Sequence, residues 1–98
     1  MSTKFYLFVL PFNHGFELYG QKGYEFFHFI RKDSYLNPPH LDLDGARVRY
    51  DFVQCGWREI TPAQAKEVLR DMWCENTYIW SYAQMMKEKA INMINNAA

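Results

Sequence analysis

His40, Asp42 and Asp44 are the residues of this chain that come nearest to a metal-binding pattern. Alternate residues of an extended segment project from one side, so an imidazole and two carboxylates at this spacing make a ligand set for a divalent ion. Each of the three also has a simpler role. Asp44 precedes Gly45, and an Asp-Gly pair between extended runs is a strong signal for a tight hairpin turn. Asp42 suits a solvated strand position, and His40 closes a loop that contains Pro38-Pro39. The segment lacks the later acidic ligands of a calcium loop. The expectation is no metal and no cofactor.

Nucleophilic chemistry finds no better support. Cys55 and Cys74 form no CxxC pair and are expected to be reduced thiols, half-buried in the core. His28 lies among Phe26, Phe27, Phe29 and Ile30, where an imidazole is more often a hydrogen-bonded structural group than a catalyst. There is no glycine-rich phosphate loop and no GxSxG elbow. An enzyme is not expected.

Arg47 and Arg49 share one face of an alternating run, with Arg31, Lys32 and Arg58 as further members of a basic patch. Cations interleaved with aromatic residues on a sheet can hold single-stranded nucleic acid by phosphate contact and base stacking. Here Tyr50 and Phe52 fall on the opposite face, and Asp51 dilutes the charge. Eleven basic and eleven acidic residues cancel, so no global field concentrates polyanions. A nucleic-acid-associated protein is the second reading.

The first reading rests on apolar rings. Eight Phe, seven Tyr and three Trp make up 18% of the 98 residues, enough apolar surface to build a core without disulfides. Lys4 to Leu10 and Tyr24 to Arg31 are apolar on both alternating sides, as in strands covered on both faces. Pro11 ends the first. Gly20-Gln21-Lys22-Gly23 reads as a four-residue hairpin connection between Phe16–Tyr19 and the second apolar run. Leu41 to Leu43 and Ala46 to Phe52 form a second hairpin about Asp44-Gly45, with Val48, Tyr50 and Phe52 turned inward. Thr61-Pro62-Ala63-Gln64 is a capping box with proline at the first helical position. The stripe Ala65, Val68, Leu69, Met72, Trp73 continues that helix, and Glu67 can pair with Arg70. A second stripe, Ile79 to Ile94, starts after a cap at Asn76 or Thr77.

These elements predict one α+β domain over residues 1–98. Its four-stranded, mainly antiparallel sheet, two hairpins within residues 4–54, is followed by two helices, at about 62–73 and 77–95, packed on one face. Such a sheet leaves its second face for another chain, either a protein partner or a second copy in a homodimer. Tyr6, Phe8, Phe27, Phe29 and Trp57 are the expected anchor rings, with Trp80 as a further candidate, and Arg47, Arg49 and Arg58 the polar rim. The function expected is therefore a non-enzymatic interaction module, an inhibitor or adaptor. In size, ring content and lack of catalytic motifs the chain looks like accessory proteins of phages and mobile elements that dock on a host enzyme. Two cysteines are too few for a secreted scaffold of this size. The apolar stretch Phe5 to Phe12 is broken by Pro11 and lacks a cleavage site. No run approaches the roughly 20 apolar residues of a membrane span. A cytoplasmic setting without membrane contact is expected.

Overall fold

Two-sided apolar alternation makes Lys4–Val9 a strand covered on both faces. In the computed structural model, which describes residues 2–33, 40–43, 51–72 and 81–97, this strand, β1, lies between two others. The remaining strands are β2 (Gly15–Lys22), β3 (Glu25–Lys32), β4 (His40–Leu43) and β5 (Arg58–Ile60). They form one sheet in the order β4-β3-β2-β1-β5, every neighbouring pair antiparallel. Two helices follow, α1 (Pro62–Met72) and α2 (Ser81–Ala97). The architecture is α+β, an antiparallel sheet with two helices.

The sheet has five strands, not the four expected from the sequence. The extra one, β5, is three residues long and includes the charged pair Arg58-Glu59, so it carries no legible alternation. It exists because the open edge of β1 accepts it, with Phe5 opposite Ile60 and Leu7 opposite Arg58. The first hairpin is also tighter than expected. Lys22 pairs with Glu25, leaving a two-residue turn of Gly23 and Tyr24 with Gly23 at φ 60°, a glycine-first turn whose twist suits the flanking strands. Gly20 lies inside β2 instead of the loop, and the position requires glycine because its cross-strand neighbours Phe5 and Phe27 fill the space above it. A side chain there would come within 2.6 Å of Phe27 Cζ and 2.9 Å of Phe5 Cδ1.

Register sorts the rings. Phe5, Gly20 and Phe27 lie side by side, as do Leu7, Leu18 and Phe29, so these residues share one face. Phe5, Leu18, Phe27 and Phe29 join Ile60, then Ala65, Leu69 and Met72 of α1, and Ala90, Met93 and Ile94 of α2 in one buried cluster, the core face, with Leu7 packed against it. Tyr6 and Phe8, with Tyr19 and His28, point the other way and define what is here called the aromatic face.

The capping box forms as the sequence dictates. Thr61 N donates to Gln64 Oε1 at 2.9 Å, and Gln64 N donates to Thr61 Oγ1 at 3.1 Å. Glu67 and Arg70 make no ion pair among the described residues. The Asp44-Gly45 turn, the arm 46–50, Trp73, Cys74, the cap at Asn76 or Thr77, Ile79 and Trp80 lie outside the described residues.

Candidate interaction surfaces

Asp51 and Phe52, expected as the end of a strand, begin a turn, and the reason is local. Asp51 Oδ1 accepts from Val53 N at 3.0 Å and Gln54 N at 3.3 Å, the geometry of a helix N-cap. Cys55 N then donates to Asp51 O at 3.1 Å, closing a single helical turn. Gly56, at φ 88°, ends it. Its N donates to Val53 O at 3.2 Å and Trp57 N donates to Phe52 O at 2.9 Å, the paired bonds of a Schellman stop. The apolar contact that accompanies such a stop is also present, Phe52 against Trp57 at 5.5 Å and 88° between ring planes.

This capped turn roofs the aromatic face. The Phe52 ring stacks on Tyr6 at 4.0 Å and 3° and meets Tyr19 at 5.1 Å. The Trp57 indole meets Phe8 at 5.4 Å and His28 at 5.7 Å. Beneath it, His28 Nε2 lies 2.8 Å from Glu17 Oε1. Tyr19 O–H donates to Gln21 Oε1 at 2.9 Å, and Gln21 Nε2 donates to Gly23 O at 3.1 Å. Burial, and then the carboxylates of Glu59 and Asp51, push the Tyr6 phenol above the ordinary tyrosine range. At the margin of the roof a shallow cleft of about 440 Å³ opens among Lys4, Tyr6, Gln21, Tyr24 and Phe52.

The residues proposed as anchors are thus split. Tyr6, Phe8 and Trp57 come together, but under the roof, with Trp57 only 6% exposed. Phe27 and Phe29 are 0% exposed and sit on the core face, so as placed they offer no surface to a partner. The face that the sequence assigns to a second chain is in large part covered by this chain's own Phe52 and Trp57. Arg58 is exposed on β5, while Arg47 and Arg49 lie outside the described residues.

Cys55 is exposed, not half-buried as expected, because it rides on the outer side of the capped turn instead of a strand. Arg31 is committed to the fold. It donates from Nη1 to the Asp71 carbonyl in the last turn of α1, from Nε to Asp33 Oδ1 at 3.1 Å, and lies 5.9 Å from the Phe16 ring centre. Asp42, a member of the metal pattern, pairs with Lys32 at 3.4 Å, and Asp44 lies outside the described residues. Among the described residues no group of three or more His, Cys, Asp or Glu side chains is placed to hold a metal ion.

The residue that sequence reasoning missed is Phe12. Leu10 N donates to Gly15 O at 2.9 Å and closes the loop between β1 and β2. Within it Pro11–Asn13 form one short 3-10 turn, and Phe12 adopts φ 58° and ψ 28°, the left-handed region. Among the described residues it is the only non-glycine at positive φ. That conformation costs an L-residue about 1–2 kcal/mol. The ring recovers little, since Phe12 is 88% exposed and its nearest aromatic neighbour, His14, is 6.1 Å away. Val9, 61% exposed, stands at the same end of β1. The sequence signal was a phenylalanine set between Pro11 and Asn13, a position where turn chemistry favours small polar residues.

No family model, curated protein or solved structure matches this chain. Among the described residues no helix is long and apolar enough to cross a membrane.

Proposed function

We propose that this protein is a non-enzymatic interaction module, an inhibitor or adaptor, that docks on a larger protein through the tip of the β1–β2 hairpin. One observation carries the reading: Phe12 holds a left-handed backbone and an 88% exposed ring at the same position. Backbone strain is retained where something other than folding requires it, and it clusters at binding sites. A strained aromatic residue that packs against almost nothing in its own fold is suited to fill a pocket on another molecule, as interface anchors do. Val9 supplies a second apolar contact at this end of the sheet. The reading moves the docking surface from the roofed aromatic face to the loop beyond it. The nucleic-acid alternative rests on Arg47 and Arg49, which lie outside the described residues; of its further members, Arg31 is held by Asp33 and the Asp71 carbonyl, and Arg58 is exposed.

The test compares tagged wild-type protein with Phe12→Gly in affinity capture from cells that express the chain, alongside thermal unfolding of both. Glycine accepts the left-handed conformation without strain, so the variant is expected to fold at least as stably while losing a specifically captured protein. Capture of the same proteins, in the same amounts, by both forms would overturn the proposal.

A further inference from the structure

Phe12 and the cleft at the margin of the roof lie toward opposite ends of one hairpin. Lys4, which lines the cleft, pairs with Gln21, whereas Val9, the last residue of β1, pairs with Phe16. The two pairs are separated by roughly 17 Å of strand. The tip is also fixed beyond its own end. His14 N donates to Pro11 O at 3.2 Å, and Asp33 N, just past β3, donates to His14 O at 2.7 Å. Phe12 cannot fold back into the cleft of its own chain, but the Phe12 of another copy can reach it. Building on the docking role given to Phe12, we infer that the tip of one copy seats in the ring-lined cleft of another, so that self-association occupies the docking ring until the larger protein takes it.

Size and lining match the cleft to the ring. A benzene-sized group needs about 150 Å³ of apolar space. The cleft offers about 440 Å³, room for the ring and part of the loop behind it. Tyr6, Phe52 and Tyr24 line it, Tyr24 being 86% exposed, and aromatic pairs gain more than their buried area alone supplies. Lys4 lines it too, and an ammonium favours the face of an incoming ring over an aliphatic side chain. Pro11, Phe12 and Asn13 carry no charge for Lys4 to repel. Tip and cleft are different surfaces, and every copy owns one of each. Two such contacts can close a reciprocal pair, and otherwise the copies extend head to tail.

Light scattering of the full chain over a concentration series reads the contact. A single ring makes a weak joint, so the wild-type mass is expected to rise above that of one chain only as the protein approaches millimolar concentration. Phe12→Gly and Tyr24→Ala should each remain single chains throughout. Tyr24 is exposed, so its truncation leaves the core intact. An equimolar mixture of the two variants restores one tip and one cleft, and should form a pair that grows no further. A wild type that stays a single chain, a Tyr24→Ala form that associates as the wild type does, or a mixture without the pair would overturn the inference. A cleft reserved for a different ligand gives the first of these results, and a symmetric dimer through another surface gives the second.

The same variants separate this inference from the docking role of Phe12. Tyr24→Ala keeps the tip, so it should capture at least as much of the larger protein as the wild type does. Loss of capture by Phe12→Gly, with self-association untouched in both variants, would sink only the contact between copies. Unchanged capture by Phe12→Gly, with self-association lost, would sink the docking role and leave that contact standing.

Discussion

Two short turns in this molecule each bend the chain through a left-handed residue, and they do so with opposite results. In Asp51–Trp57 the left-handed position is Gly56, where it costs little, and both flanking rings turn inward onto Tyr6, Tyr19, Phe8 and His28. In Pro11–His14 the left-handed position is Phe12, where it costs more, and the ring faces solvent. The first turn obeys every local rule, with N-cap, glycine stop and apolar contact all agreeing with the packing beneath. The second breaks one and gains little in the fold. Only the first can be understood as a solution to folding, which is why the second is read as a docking element.

The largest effect should come from taking the roof away. Trp57→Ala removes a buried indole that touches Phe8, His28 and Phe52, and is expected to destabilise the fold by about 3–5 kcal/mol in urea unfolding. A loss below about 1 kcal/mol would mean that the roof is only loosely seated. Next comes Gly56→Ala. It places a Cβ 3.2 Å from Phe8 Cε2 on a backbone at φ 88°, with an expected cost of about 1–2 kcal/mol.

The matching change in the other turn should have the opposite sign. Phe12→Gly relieves the left-handed strain but gives the unfolded chain extra freedom, so a net gain of roughly 0.5 kcal/mol is expected. Should Phe12→Gly destabilise the protein by more than about 1 kcal/mol, the contrast between the turns disappears. The smallest effect is electrostatic and concerns Tyr6 beneath Phe52. Its phenol is raised above the ordinary tyrosine value, so the folded chain keeps a proton that the unfolded chain has already released. This contribution is complete below the ordinary value and fades as pH rises through the raised one. Urea unfolding between about pH 9 and 11 should therefore show a shallower loss of stability for Tyr6→Phe than for wild type. Equal slopes would mean that the fold does not raise the Tyr6 phenol.

Much of the fold was legible because its signals are local. The capping box at Thr61 and Gln64 is four consecutive residues answering one another, and it needs no tertiary help. Two-sided apolar runs correctly marked β1 and β3 as strands with company on both faces. The capped turn was equally local, with Asp51, Gly56 and the pair Phe52 and Trp57 all in view. Its signal was masked by the alternation that precedes it, which invited Phe52 to be counted as the end of a strand. Three residues of β5 could not be read at all, since their pairing depends on an edge of β1 that only the assembled sheet presents.

Residue types and their spacing determined that this chain forms an antiparallel sheet with two helices, because strand alternation and helix caps act within a few residues of themselves. Tertiary structure alone decided which rings are available to other molecules. Phe27 and Tyr6 are equally apolar in sequence, yet register with Gly20 and Tyr19 sends one to the core face and the other beneath Phe52. Exposure is set by what the rest of the chain folds over a residue. Phe12 therefore became the candidate anchor only once its backbone and its surroundings were fixed together.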